Sequence, residues 1–141
     1  MDLLMVTIIV NAPIAKVWQY WNRPEHIVEW NFASDDWCCP KADNHLIVNG
    51  EFHYTMSAKD ESASFDFWGT YSKIEFEKLI EIILGDGRVM TVCFEELSYG
   101  TKVTESFEPE SENSLELQKM GWQSILDNFK KYAERKGNLI R

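Results

Sequence analysis

The strongest limit on how this chain can fold comes from its last thirty or so residues. Between Asn113 and Gly137 the apolar side chains Leu115, Trp122, Ile125, Leu126, Phe129, Tyr132 and Ala133 fall on one stripe at helical spacing. Gln118, Lys119, Asp127 and Lys131 fall away from it. Asn113, with Glu116 three residues on, reads as a capping box, and Gly137 as the stop. About 23 residues at ~1.5 Å each make a rod of roughly 35 Å, long enough to cross a whole sheet. A helix with one apolar face has to lay that face on another layer. Gly121 inside it costs ~1 kcal/mol relative to alanine, which predicts close packing there or space left for a ligand.

The layer is supplied upstream. Leu4 to Val10 is β-branched, bounded by Asn11-Ala12-Pro13, and reads as a buried strand. Pro13 opens a helix on which Ile14, Val17, Trp18 and Trp21 share a face. Asn22-Arg23-Pro24 breaks it, and a second short helix runs from Pro24 to about Trp30. Asp36 to Pro40 reads as a short strand running into a turn. Leu46 to Met56 reads as a strand with a kink or turn at Asn49-Gly50, and Lys59 to Ser62 as a turn. Phe65, Phe67 and Tyr71 alternate along the next strand with Gly69 on their face, where a glycine marks a bulge or a close approach. Leu79–Leu84, Val89–Leu97 and Thr101–Phe107 follow, joined at Gly85-Asp86-Gly87 and Ser98-Tyr99-Gly100. Consecutive strands with such short links are antiparallel neighbours. The expected architecture is α+β, one domain over residues 1–141, with about six to seven strands, two short helices after the first, and the long helix last.

Composition narrows the function. A formal charge of −9 repels phosphate backbones and anionic headgroups, which argues against nucleic acid and membrane surfaces as partners. The apolar N-terminal run is far short of the ~20 residues of a membrane span, so no membrane insertion is expected. Three cysteines, Cys38, Cys39 and Cys93, make no disulfide framework and suit a reducing, cytoplasmic setting with three free thiols. Eight Phe, six Trp and five Tyr are more than a minimal core needs, so some are free to line a cavity.

No nucleophile elbow or phosphate loop is present, since Gly85 and Gly87 sit in a hairpin with no helix behind them. His26, His45 and His53 lack metal-site spacing, and the adjacent Cys38 and Cys39 point to opposite faces of a strand. Neither a metal nor a cofactor is expected. Among the carboxylates Glu105 stands apart: period two puts it on the face of Val103 and Phe107, pointing inward, where desolvation raises a carboxyl pKa. A structural hydrogen bond would explain it as well.

The segments Asn11-Ala12-Pro13 with Val17-Trp18, Pro24-Glu25, Glu29-Trp30, Asp36 to Pro40, Asn49 to Phe52, Phe65 to Tyr71, Gly121 to Leu126 and Asn128 to Tyr132 together resemble one family. It is that of the START-like (SRPBCC) domains related to the activator of heat-shock-chaperone ATPase. The resemblance implies a helix-grip fold, a curved antiparallel sheet wrapped around the C-terminal helix. It also brings in lipid-transfer domains, hormone receptors and polyketide cyclases as relatives, so that fold alone does not choose between binder and enzyme. Most relatives carry Gly-Gly where this chain has Asn49-Gly50.

On this reading the chain binds an apolar or lipid-like small molecule in a cup between sheet and helix. The expected wall is Trp30, Trp37, Phe52, Tyr54, Phe67, Tyr71, Phe94, Glu105, Trp122 and Phe129, each of which would also serve as ordinary core. The alternatives are a cyclase or hydrolase, which needs an inward polar pair such as Glu105 with His53 or Tyr71, and a chaperone-associated module, which needs an exposed apolar patch. A chaperone and a second copy of the chain are the protein partners left open.

Overall fold

A computed structural model describes residues 3–138. The order is β1 (Leu4–Val10), α1 (Ile14–Asn22), α2 (Pro24–Trp30), β2 (Trp37–Asn44), β3 (Glu51–Ala58), β4 (Ser64–Glu75), β5 (Leu79–Leu84), β6 (Val89–Leu97), β7 (Gly100–Phe107) and α3 (Leu115–Asn138). The seven strands form one antiparallel sheet in the order β1-β7-β6-β5-β4-β3-β2, curled into a half-barrel against α3. This is the helix-grip arrangement. Hairpin links make every neighbour consecutive except β1, which is carried across to β7 with Leu4 opposite Phe107 and Val10 opposite Thr101.

That leaves β1 and β2 as edges, and each is dealt with differently. β1 lies under α3, whose side chains reach its free carbonyls: Gln123 Nε2 donates to the Thr7 carbonyl (3.1 Å) and Lys130 Nζ to that of Ile9 (2.6 Å). Glu134 accepts the Asn11 N–H at 2.8 Å just beyond the strand. The helix thus covers an edge that would otherwise be open to pairing. β2 carries Pro40 within it, where a turn was expected. On an edge strand a residue without an N–H costs no ladder bond, and the register slips between Cys38 and Lys41 to take it up.

Four further expectations give way to local chemistry. Leu46 to Val48 is loop rather than strand: Asn49 takes a left-handed φ of 69° and the Gly50 N–H bonds back to the Ile47 carbonyl, so β3 begins only at Glu51. Ser114, not Asn113, caps α3, its hydroxyl accepting the Leu117 N–H at 3.1 Å. Glu116 therefore stands one position too early to complete a box. Gly137 lies within the helix instead of ending it. On the stripe itself Leu115 is exposed, and Gln118 is the buried residue, because its amide holds the carbonyls of Glu110 and Asn113 at 3.0 and 2.8 Å.

The two glycines flagged in the sequence have opposite explanations. A Cβ on Gly69 would come within 2.7 Å of Ile82 Cγ2 and 3.0 Å of the Phe52 ring, so β4 is glycine there to let Phe52 lie flat across it. A Cβ on Gly121 would meet nothing within 4 Å. Close packing does not account for it.

Candidate functional site

The inner face of the curled sheet and the first turns of α3 enclose a cavity of about 200 Å³. Period two builds one wall: Phe52, Tyr54 and Met56 alternate along β3, with Phe65, Phe67 and Tyr71 beside them on β4. Ile80 and Ile82 of β5, and Met90 and Val92 of β6, make an aliphatic floor. Trp122 and Ile125 of α3 form the roof, where Trp122 stacks on Phe107 with centroids 3.8 Å apart and planes 10° apart. Trp21, Trp30 and Asn31 close the end next to α1 and α2.

Polar groups are few and sit on opposite sides. On the β3–β4 side the Tyr71 hydroxyl donates to Asn44 Oδ1, and Asn44 Nδ2 donates to the Asn22 carbonyl at 2.7 Å. Burial lifts both Tyr71 and Tyr54 well above the usual phenol range, and each hydroxyl neighbours the other. Asn31 spends its amide on Met56 Sδ at 3.5 Å. On the far side, three strands away, is Glu105 of β7. It is 6% exposed, faces Val6 and Val92 across its two strand pairings, and its Oε1 has no partner among the described residues. Desolvation with no compensating charge pushes its pKa up to about 8. At neutral pH this is a protonated carboxyl in an apolar chamber.

Of the ten wall residues expected from sequence, seven meet here: Trp30, Phe52, Tyr54, Phe67, Tyr71, Glu105 and Trp122. Three do not. Phe129 is fully buried against Trp21 and Trp30, at 5.0 and 4.9 Å. Phe94 packs edge-on to Trp18 at 5.0 Å in the same solid region. Trp37 is half-buried beside Phe65, with ring centroids 6.0 Å apart, and does not line the chamber. Missed were Trp21, Asn31, Met56, Phe65, the β5–β6 aliphatics and Ile125. Phe65 and Ile125 share a strand face and a helix stripe with residues that were named, so the signal existed; the aliphatics read the same whether they pack or line.

The polar pair proposed for catalysis is not assembled with His53. That residue is on the outer face, its Nδ1 2.8 Å from Asp66 Oδ2 and its Nε2 2.9 Å from Glu51 Oε1, stacked on Trp68 at 5.3 Å. Asp66 first and Glu51 second raise its pKa. Cys38 is half-buried, Cys39 buried and Cys93 exposed, and burial pushes the Cys39 thiol up to about 11. Among the described residues no three of His, Cys, Asp or Glu gather as a metal site would require, and no helix is long and apolar enough to cross a membrane.

Residues 11–134 match the family model described as Activator of Hsp90 ATPase homolog 1-like protein. The solution structure of an AHSA1-like protein from Aeromonas hydrophila is 40% identical, with a TM-score of 0.87 over 95% of this chain and 94% of that one. A solution structure of a protein from Cytophaga hutchinsonii is 46% identical, with a TM-score of 0.81 over 95% and 93%. A crystal structure from Nitrosomonas europaea, at 16% identity and a TM-score of 0.82 over 97% of each chain, shares the fold. No curated protein matches the sequence.

Proposed function

Since this chain belongs to the family of Activator of Hsp90 ATPase homolog 1-like proteins, we propose that it binds a small, largely apolar molecule in the cavity between sheet and α3. The observation that carries this is the cavity itself, with an apolar lining and a single buried carboxyl left without a partner. A chamber lined by packed side chains loses dispersion contacts on its empty side, and a fold that keeps one gives up stability for it. Its size sets the ligand. A cavity of ~150 Å³ holds one benzene ring, so about 200 Å³ suits a substituted ring.

Binding is favoured over acid–base catalysis because Glu105 has no hydrogen-bonded partner to share a proton with and His53 is on the other face. The three cysteines without a disulfide support a reducing, cytoplasmic setting.

Toluene titrated into the protein should shift the methyl resonances of Ile80, Ile82 and Val92, while residues of the outer face stay put. Ile125→Trp places an indole in the chamber from a half-buried position, and it should abolish those shifts in a protein that still melts cooperatively. Failure of toluene to move these methyls, or unchanged binding by a folded Ile125→Trp, overturns the proposal.

A further inference from the structure

Resting on that binding reading, the geometry points to a narrower ligand class: a small amine, cationic in water, whose ammonium meets Glu105 while its ring lies against Phe52, Phe67 and Trp122. Three observations converge on it. Glu105 is more than nine-tenths buried, lines the chamber, and its Oε1 has no hydrogen-bond partner among the described residues. A carboxyl in that position is an unfilled hydrogen-bonding site. Phe52, Phe67 and Trp122 line the chamber and supply aromatic surface for the ligand's ring. The lining contains no Lys, Arg or His, so a carboxylate or phosphate ligand would find no counter-charge, and the chain's −9 charge repels it on approach while drawing a cation in.

The groups that set the proton balance are few. From β1 and β6 the residues opposite Glu105 are Val6 and Val92; along β7 its same-face neighbours are Val103 and Phe107; from α3 the chamber receives Trp122 and Ile125. Tyr54 and Tyr71, across the chamber, are the remaining titratable side chains of the lining, and burial keeps both protonated. Binding an ammonium therefore requires Glu105 to give its proton to solvent. With a pKa of about 8 in the empty chamber this costs about a factor of ten at pH 7. A neutral alcohol avoids the cost but forgoes a charge-assisted bond, which is roughly twice as strong as a neutral one. The cation is favoured.

Benzylamine and its uncharged counterpart benzyl alcohol separate the two by calorimetry. Benzylamine should bind more tightly at pH 7, release close to one proton when titrated in buffers of different ionisation enthalpy, and gain about tenfold in affinity from pH 6 to pH 7. Benzyl alcohol should bind independently of pH. Glu105→Gln should lose the proton release and at least tenfold in benzylamine affinity while keeping benzyl alcohol; if that variant does not fold, the wild-type proton count decides alone. Benzyl alcohol binding as tightly as benzylamine, or benzylamine binding without proton release, overturns the amine assignment. Toluene binding without benzylamine binding overturns it too and leaves the cavity-binding reading standing. Loss of all three ligands sinks both.

Discussion

The two halves of α3 carry similar aromatic side chains and face opposite situations. Around Phe129 the interior is filled: Trp21 and Trp30 from the two short helices meet its ring edge-on, Leu126 and Ala133 beside it are fully buried, and Tyr132 joins His26 of α2 through a 2.6 Å hydrogen bond. Around Trp122, two turns earlier, the neighbouring rings are Phe107 of β7 and Phe67 of β4, and about 200 Å³ stays open. Trp21 and Trp30 form the partition, touching Phe129 on one side and the chamber on the other. The difference teaches that aromatic content does not make a cup. What makes it is that α1 and α2 plug one end of the half-barrel and stop there.

Truncation tests this division most strongly. Phe129→Ala removes a ring with neighbours all round and should cost ~3–5 kcal/mol in denaturant melts. Trp122→Ala, although it deletes a larger side chain, should cost only ~1–2 kcal/mol, because one side of the indole already lacks partners. Equal losses would mean that the two halves are packed alike and the contrast is false.

A pH series sharpens the same division, since the unpaired carboxyl belongs to the hollow half. Desolvation pushes the Glu105 pKa up to about 8 from an ordinary value of about 4.5. Between those values the folded chain holds a proton that the unfolded chain has lost. Its stabilising contribution is complete at low pH, falls by about 1.4 kcal/mol per unit as pH rises through the window, and levels off above it. Glu105→Gln should flatten that slope, and the difference between wild type and variant, taken from urea melts at pH 5, 6, 7 and 8, cancels every other titrating group. A difference that does not change with pH would place Glu105 in contact with water or a hidden partner.

The smallest effect is a gain. Gly121 lies one residue before Trp122, and an added methyl meets nothing within 4 Å. Gly121→Ala should raise stability by about 0.5–1 kcal/mol from helix propensity and backbone entropy alone. A loss, measured by thermal melt, would show that the start of α3 is more crowded than its surroundings indicate.

Much of this was legible beforehand, and the limit is instructive. Alternation placed Glu105 beside Val103 and Phe107 and so pointed it inward, and helical spacing put Trp122 and Phe129 on one stripe. Periodicity reports which face a side chain takes but says nothing of what stands opposite it. That is why Phe129 and Phe94 were grouped with the wall, and why Ile80, Ile82, Met90 and Val92, identical in pattern to core, were not. His53 is the converse case: alternation with Phe52 and Tyr54 already sets it on the other face, and there Asp66 and Glu51 hold its ring.

The pairing of β1 with β7 has a consequence in time as well as in space. Thr7 meets Thr104 across 97 positions of sequence, and Ile9 is held by Lys130 across 121. Contacts that span most of a chain are entropically expensive to close, and a topology rich in them folds slowly. While a ribosome is still making residues 100–138, the first strand has no mate and the β2–β6 meander has no roof. Glu105 and Trp122, on β7 and α3, are made only after β1 to β6. A ligand then has nothing to bind until β7 and α3 are in place, so its presence acts on the folded domain, by slowing its unfolding, and not on the growing chain.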